Sequence, residues 1–406
     1  MKIKEQLLGP GVEHDPYPAY GRRRDEAPVC PVYLRDGVRC WVILRYAEAR
    51  AALADPRFSR DPRFAGPSWR QSDRDRDLED GSGLGIHLLT REPPDHTRLR
   101  RMVAGAFTAR RTEAMRGRVQ KITHDLIDAF AARGSAELVG ELAYPLPAIV
   151  MCETFGIPLA DQGHFRQWTS NAVLADDGQP VYAPPPDEYL RDLVAGKRAA
   201  PTDDLLSELV AAEQAGQLSE TELLSMLFLL IIAGHENTVG LIANGVLALT
   251  ANPEQLALLR ERPDMIEGVV EEVLRYDGPM ELAAWRFAAE PVTIGETTIP
   301  AGEPVVIALA AAHRDPDRFA DPDRFDITRP DAGAHLGFGY GLHHCLGAAL
   351  GRMEAAVALS AVVQRLPDLA PAVPIDQLER GPGSIVRSLY ELPVTFTVAD
   401  SPGGAG

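Results

Sequence analysis

The chain has 406 residues, of which 45% are hydrophobic and 24% charged, enough apolar mass for a sizeable core and too much for general disorder. Its formal net charge of −17 opposes nucleic acid, and no basic patch answers it, since acidic residues follow the arginines at 22–24 and the run at 98–101 falls in a helical pattern. Cys30, Cys40, Cys152 and Cys345 are too sparse for a disulfide framework or a paired-cysteine metal site, and the N-terminal stretch is too polar for a membrane anchor or signal, so a reduced cytoplasmic setting is expected.

In chain order, helical periodicity covers residues 46–54, 94–104, 110–133, 219–250, 253–262, 265–276 and 345–366. Strand signals are fewer, at 38–44, in the turn-punctuated stretch 291–308, and at 385–398. No repeat or long linker divides them. One mainly helical domain over 1–400 with a small β region is therefore predicted, followed by a flexible glycine-rich tail at 401–406. Between about 171 and 201 the pattern is irregular, with Pro184-Pro185-Pro186 separating two weak helical patterns; a movable lid and a plain exposed connection both fit.

Four segments carry chemistry beyond packing. In Glu92-Pro93-Pro94-Asp95-His96-Thr97-Arg98-Leu99-Arg100 the prolines start a helix, and His96 and Arg100, four apart, share one face. In the apolar stretch 219–250, Ala233-Gly234-His235-Glu236-Asn237-Thr238 sets polar groups, costly in a core, beside a glycine that weakens the helix where a ligand could approach. Glu272 and Arg275 share a helix face and pair, a spacing also common on solvated helices.

The fourth segment is Phe338-Gly339-Tyr340-Gly341-Leu342-His343-His344-Cys345-Leu346-Gly347. Its glycines let a loop wrap a flat cofactor and aim amide N–H groups at a sulfur. Cys345 stands at the start of the last helical pattern, where the positive end of the helix dipole favours a thiolate. Zinc on His335, His343, His344 and Cys345 is the main alternative, but adjacent His-His-Cys ligands suit a tetrahedral site poorly and no second Cys/His pair is near.

This segment matches every fixed position of FGxGxHxCxG, and the chain resembles the soluble bacterial cytochromes P450. Glu272-Val273-Leu274-Arg275 matches the family's ExxR, 73 residues before Cys345; 92–100 is similar to DPPEHTRLR, and 233–238 resembles (A/G)Gx(D/E)T. The similarity runs from Asp15-Pro16-Tyr17 to the C-terminal strand region and is weakest at 60–87 and 171–198, the family's substrate-recognition loops.

The resemblance implies a mainly α cytochrome P450 fold, a helical prism with a small peripheral β region. It implies haem b (iron protoporphyrin IX), with Cys345 as axial iron ligand, a thiolate whose electron donation favours O–O cleavage. Phe338, Gly339, Gly347, Ala233 and Gly234 would line the haem. His96, Arg100, Arg286 and His343 would donate to its two propionates, and Glu272, Arg275 and a downstream basic group such as Arg329 would lock the cysteine-side fold. Glu236 matches the acid of the oxygen-activation relay. Asn237, however, stands where threonine is usual, and Thr238 lies one residue and about 100° further round the helix. An amide is a poor proton relay beside a hydroxyl, so Asn237 is expected to position a water, or a substrate hydroxyl to supply the link.

The implied reaction is monooxygenation of a lipophilic small molecule, a natural-product intermediate such as a macrolide, polyketide or peptide. The pocket walls would be Leu229, Ile232, Ala233 and Leu282, Ala283, Ala284 and Trp285. Electrons would come from a separate ferredoxin and ferredoxin reductase docking on the cysteine-side face, with no nucleic acid and no membrane anchor involved. Two other readings stay open: oxidative coupling or peroxide-driven oxidation, suggested by Asn237, and a non-catalytic haem-binding or recruitment protein, against which Glu236 argues.

Overall fold

The computed structural model describes residues 15–33, 38–71, 84–162, 187–381 and 385–398. The expected tail at 401–406, the proline-rich part of the irregular stretch at 171–186, and positions 72–83 of the recognition loops lie outside the described residues.

Four helices, Ala109–Ala131, Glu236–Ala251, Ile266–Asp277 and Ala348–Arg365, pack on one another around the largest core cluster. Their apolar faces, among them Val119, Ile127, Val246, Val273 and Leu359, are fully or almost fully buried. A second cluster joins Pro145–Phe155, Leu205–Gln214 and Glu220–Ala233. The helix starts are fixed locally. Thr108 accepts from Arg111 N, Asp204 from Ser207 N, and Ser219 and Glu222 close a reciprocal capping box.

The β structure is peripheral. Strands β1 (Val29–Tyr33), β2 (Arg39–Ile43), β3 (Phe58–Ser59), β4 (Ser135–Glu137), β5 (Arg286–Ala288), β6 (Val292–Ile294), β7 (Thr297–Ile299), β8 (Pro304–Ile307), β9 (Ala370–Pro371) and β10 (Pro393–Thr395) form three small sheets. The largest has the order β1-β2-β8-β5-β3, and β5 pairs antiparallel with β3 in the register Phe58↔Ala288, Ser59↔Phe287.

Several expectations are corrected. The predicted continuous helix over 219–250 is two helices, Glu220–Ala233 and Glu236–Ala251, broken where His235 leaves helical geometry at φ −128°. The last helix begins at Ala348, not at Cys345, because Gly341–His343 forms a short 3-10 turn and Gly347 is the cap. The predicted strand over 385–398 shrinks to β10, with Val386 making only an isolated bridge to Met280. The weak helical pattern expected after the prolines is, by contrast, a helix, Asp187–Ala199. The interval Glu220–Ala251 is the one described stretch long and apolar enough to cross a membrane by composition, and more than half of its apolar window is packed inside the fold.

Candidate functional site

The loop before Ala348–Arg365 is built from residues that only this conformation needs. Gly339 and Gly341 have φ of +73° and +77°, and a Cβ on Gly341 would sit 3.0 Å from Ala54 Cα, so the path of this loop needs both glycines. Cys345 N donates to Phe338 O at 2.8 Å, which folds the loop back on itself. Arg352 stacks over the Phe338 ring at 4.4 Å and donates to Glu271 at 2.6 Å, while His335 Nε2 meets the same carboxylate at 3.1 Å. Burial raises Glu271, but His335 and Arg352 outweigh it and hold the carboxyl down at about 2.

Cys345 has exposed surface although protein surrounds it on its other sides. Enclosure pushes its thiol above the usual range, while the Gly347 N–H, Arg100 and Arg352 pull the other way. The sulfur's electrostatic support thus comes from one amide and two guanidiniums. The helix dipole invoked from the sequence acts only at a distance, since the helix cap lies two residues further on.

His96, Arg286 and His343 converge as expected. His96 has no accessible surface, neither of its ring nitrogens has a partner, and its ring lies edge-on to His343 with centroids 4.6 Å apart. Burial first, then the neighbouring His343 and Arg100, lower His96 to about 4, so it is a neutral imidazole. Arg286 is buried, its Nε has no partner, and burial brings it down to about 10. His343 Nε2 approaches Glu92 Oε1 at 3.4 Å without hydrogen-bond geometry. Unpaired buried donors are strongly disfavoured unless an acceptor meets them. Arg100 stands beside His96 as expected, and it also donates to Leu342 O at 3.3 Å and His344 O at 2.8 Å and so clamps the cysteine loop. The sequence reading missed Arg60 and gave no role to Glu92. Arg60 Nε is buried without a partner, and its backbone N donates to Glu92 Oε1 at 2.8 Å.

At the helix break, Ala233 and Gly234 are exposed in the middle of an otherwise buried helix pair. A Cβ on Gly234 would lie 2.6 Å from Leu230 O and would also meet Met151, so the glycine is required by packing as well as by the break. His235 is fully buried and its Nε2 lies 3.6 Å from Glu236 Oε1. Asn237 Oδ1 is buried without a partner. Thr238 turns away: its hydroxyl bonds to Glu354, a carboxyl that burial pushes up to about 8. Thr238, about 100° further round the helix than Asn237, thus stands on the Glu354 side.

Glu272 and Arg275, both without accessible side-chain surface, form a two-pronged pair at 2.7 and 2.8 Å. Arg275 also donates to the carbonyls of His313, Pro322 and Arg324, and Arg329 Nε reaches Glu272 Oε2 at 3.3 Å, as expected of the lock. Among the wall residues, Leu282 has no accessible surface and Leu229 and Ala283 almost none, so these three pack in the core. Ile232, Ala233, Ala284 and Trp285 keep surface, and Trp285 packs at a tilt against Trp69 with ring centroids 4.9 Å apart.

The geometry fits a flat, doubly anionic cofactor whose metal takes one sulfur: an accessible cysteine lies beneath a glycine loop, with neutral and cationic donors left open beside it. Comparison with known proteins agrees. Residues 187–387 match the family model described as Cytochrome P450. The chain is 45% identical over 395 residues to Cytochrome P450 monooxygenase PikC of Streptomyces venezuelae, covering 96% of this chain and 93% of that one. It is 39% identical to the 6-deoxyerythronolide B hydroxylase of Saccharopolyspora erythraea, over 94% and 96% of the two chains. The solved structure of the tirandamycin C-bound P450 monooxygenase TamI superposes with a TM-score of 0.89 at 39% identity, over 96% of this chain and 99% of that one.

Proposed function

The chain belongs to the cytochrome P450 family, and from that premise we propose how its own residues carry the family's reaction. The protein is a haem-thiolate monooxygenase using haem b. Bound haem supplies the oxidising chemistry: dioxygen, two electrons and two protons yield one oxygen atom inserted into a C–H or C=C bond and one water.

The observation that carries the site assignment is the set of buried, unpartnered nitrogens on His96, Arg286 and His343 beside Cys345. In this reading Cys345 holds the iron, with Gly347 N–H, Arg100 and Arg352 favouring its thiolate. His96, Arg286 and His343 bind the propionates, and Arg100 fixes the loop from which the sulfur projects. Phe338, Gly339, Gly347, Ala233 and Gly234 line the ring. Glu236, paired with His235, takes up a proton, and the open Oδ1 of Asn237 holds a water that passes it on, because the carboxamide itself does not exchange a proton as a hydroxyl does.

Ile232, Ala233, Ala284 and Trp285 give the pocket an apolar wall suited to a lipophilic substrate. Relatives described as a 6-deoxyerythronolide B hydroxylase, a tirandamycin C-bound monooxygenase and a polyketide biosynthesis cytochrome P450 favour a natural-product intermediate. Electrons come from a redox partner. A ferredoxin with its reductase is favoured by the cysteine-side face, where Arg50 stacked on Tyr340 at 4.1 Å, Arg100 and exposed Leu342 give a basic rim with an apolar centre on a strongly acidic chain. Four free cysteines favour a cytoplasmic setting.

The test is turnover. Haem-loaded protein with ferredoxin, its reductase and a polyketide ligand that shifts the haem from low to high spin should consume dioxygen and form an oxygenated product. Product formed only with added peroxide would select the peroxide-driven or coupling reading, and no turnover of any spin-shifting ligand would select recruitment.

A further inference from the structure

Arg60 is the one charged group at the cage that no motif announced. It follows β3, and the β3–β5 register, continued one step past Ser59↔Phe287, sets Arg60 opposite Arg286. Like charges facing each other across strands repel. The side-chain Nε of each arginine is nonetheless buried without a partner. Burial and then the charge of Arg286 bring the Arg60 guanidinium down to about 9, and the same guanidinium acts on His96 and His343.

Glu92, the acid nearest the pair, does not neutralise it. Its Oε1 accepts from the Arg60 backbone N–H at 2.8 Å and from Ser59 Oγ at 3.1 Å and faces His343 at 3.4 Å, and neither guanidinium has an ion pair among the described residues. Two adjacent guanidiniums with enclosed, open N–H groups form a stable arrangement only with an anion between them. Together they match in number the two carboxylates of haem, while neutral His96 adds hydrogen bonds without charge.

We propose that Arg60 is a second arginine of the propionate cage, gripping a haem carboxylate side by side with Arg286 from the edge of the β-sheet. The proposal rests on the haem reading above. It is tested on the full-length, haem-loaded protein by comparing wild type, Arg60→Met and Arg60→Lys. Arg60→Met should release haem to excess apomyoglobin about tenfold faster, the loss of one charged hydrogen bond. Its reduction potential should fall, because removing a positive charge disfavours the added electron, whereas Arg60→Lys should keep the potential near wild type. Wild-type haem release and potential in Arg60→Met would overturn the proposal. So would an equal change in the Lys variant, or weakened binding of an acidic substrate with haem release unchanged. A thiolate-type carbon monoxide band in the wild type keeps the haem reading standing if Arg60 fails, and its absence there would mean that the haem reading itself had failed.

Discussion

Two buried charged clusters in this molecule differ in what their polar atoms lack. In the Glu272–Arg275 cluster the carboxylate and guanidinium have protein partners on every side: each other, Arg329, the Asp326 N–H and three carbonyls. In the cage of His96, Arg286, Arg60 and His343, ring and guanidinium nitrogens are enclosed with nothing to bond. A closed cluster holds the fold, and an open one is a site for something not made of protein. The contrast separates structural from ligand-binding charges where burial alone would not.

The largest effect is expected in the closed cluster. Arg275→Met leaves buried Glu272 with only Arg329 and the Asp326 N–H as partners and should cost about 3 kcal/mol, read as a lower urea midpoint with or without haem. A small effect would mean that the cluster is not the lock it looks to be.

Glu354 lies between the two extremes, fully enclosed with Thr238 as its one stabilising partner. Its carboxyl is raised from 4.5 to about 8 in the fold, so its proton favours the native state fully below about 4.5 and that contribution is lost as pH rises through about 8. Wild-type stability should decline over this window by on the order of 4 kcal/mol relative to Glu354→Gln. Parallel changes in the melting temperature of the two proteins between about pH 5 and about pH 8 would contradict it.

In the open cluster, His96→Leu removes no protein hydrogen bond. It should leave the urea midpoint of the fold nearly unchanged while speeding haem release on the order of tenfold. A variant that unfolds but keeps its haem would reverse the contrast. The smallest effect belongs to Asn237. Asn237→Ala should lower the fraction of electrons reaching product about threefold, the loss of one held water, with haem binding intact. Unchanged coupling would remove Asn237 from the relay.

Legibility followed the range of the interactions. The cysteine loop, the Glu272–Arg275 pair and the His96 helix were readable because each depends on residues a few positions apart and on motifs with fixed spacing. The extent of the helix break at His235 was not, although Gly234 marked a weak point, because the helical pattern runs on from Ser219 to Thr250 and the neighbour that demands a glycine there, Met151, is distant in sequence. Arg60 was hidden for the same reason. Its neighbour Arg286 is far away in sequence and meets it only through the β3–β5 register. The clamp that Arg100 makes on the cysteine loop was not legible either, since the carbonyls it holds belong to a loop whose path no local pattern fixes.

The central claim is a sulfur–iron bond at Cys345, and the reduced carbon monoxide spectrum measures it most directly. Haem-loaded wild type should show the long-wavelength band of a thiolate ligand, and Cys345→Ser should lose that band while His96→Leu and Arg60→Met keep it in whatever protein retains haem. An identical spectrum in wild type and Cys345→Ser would contradict the account.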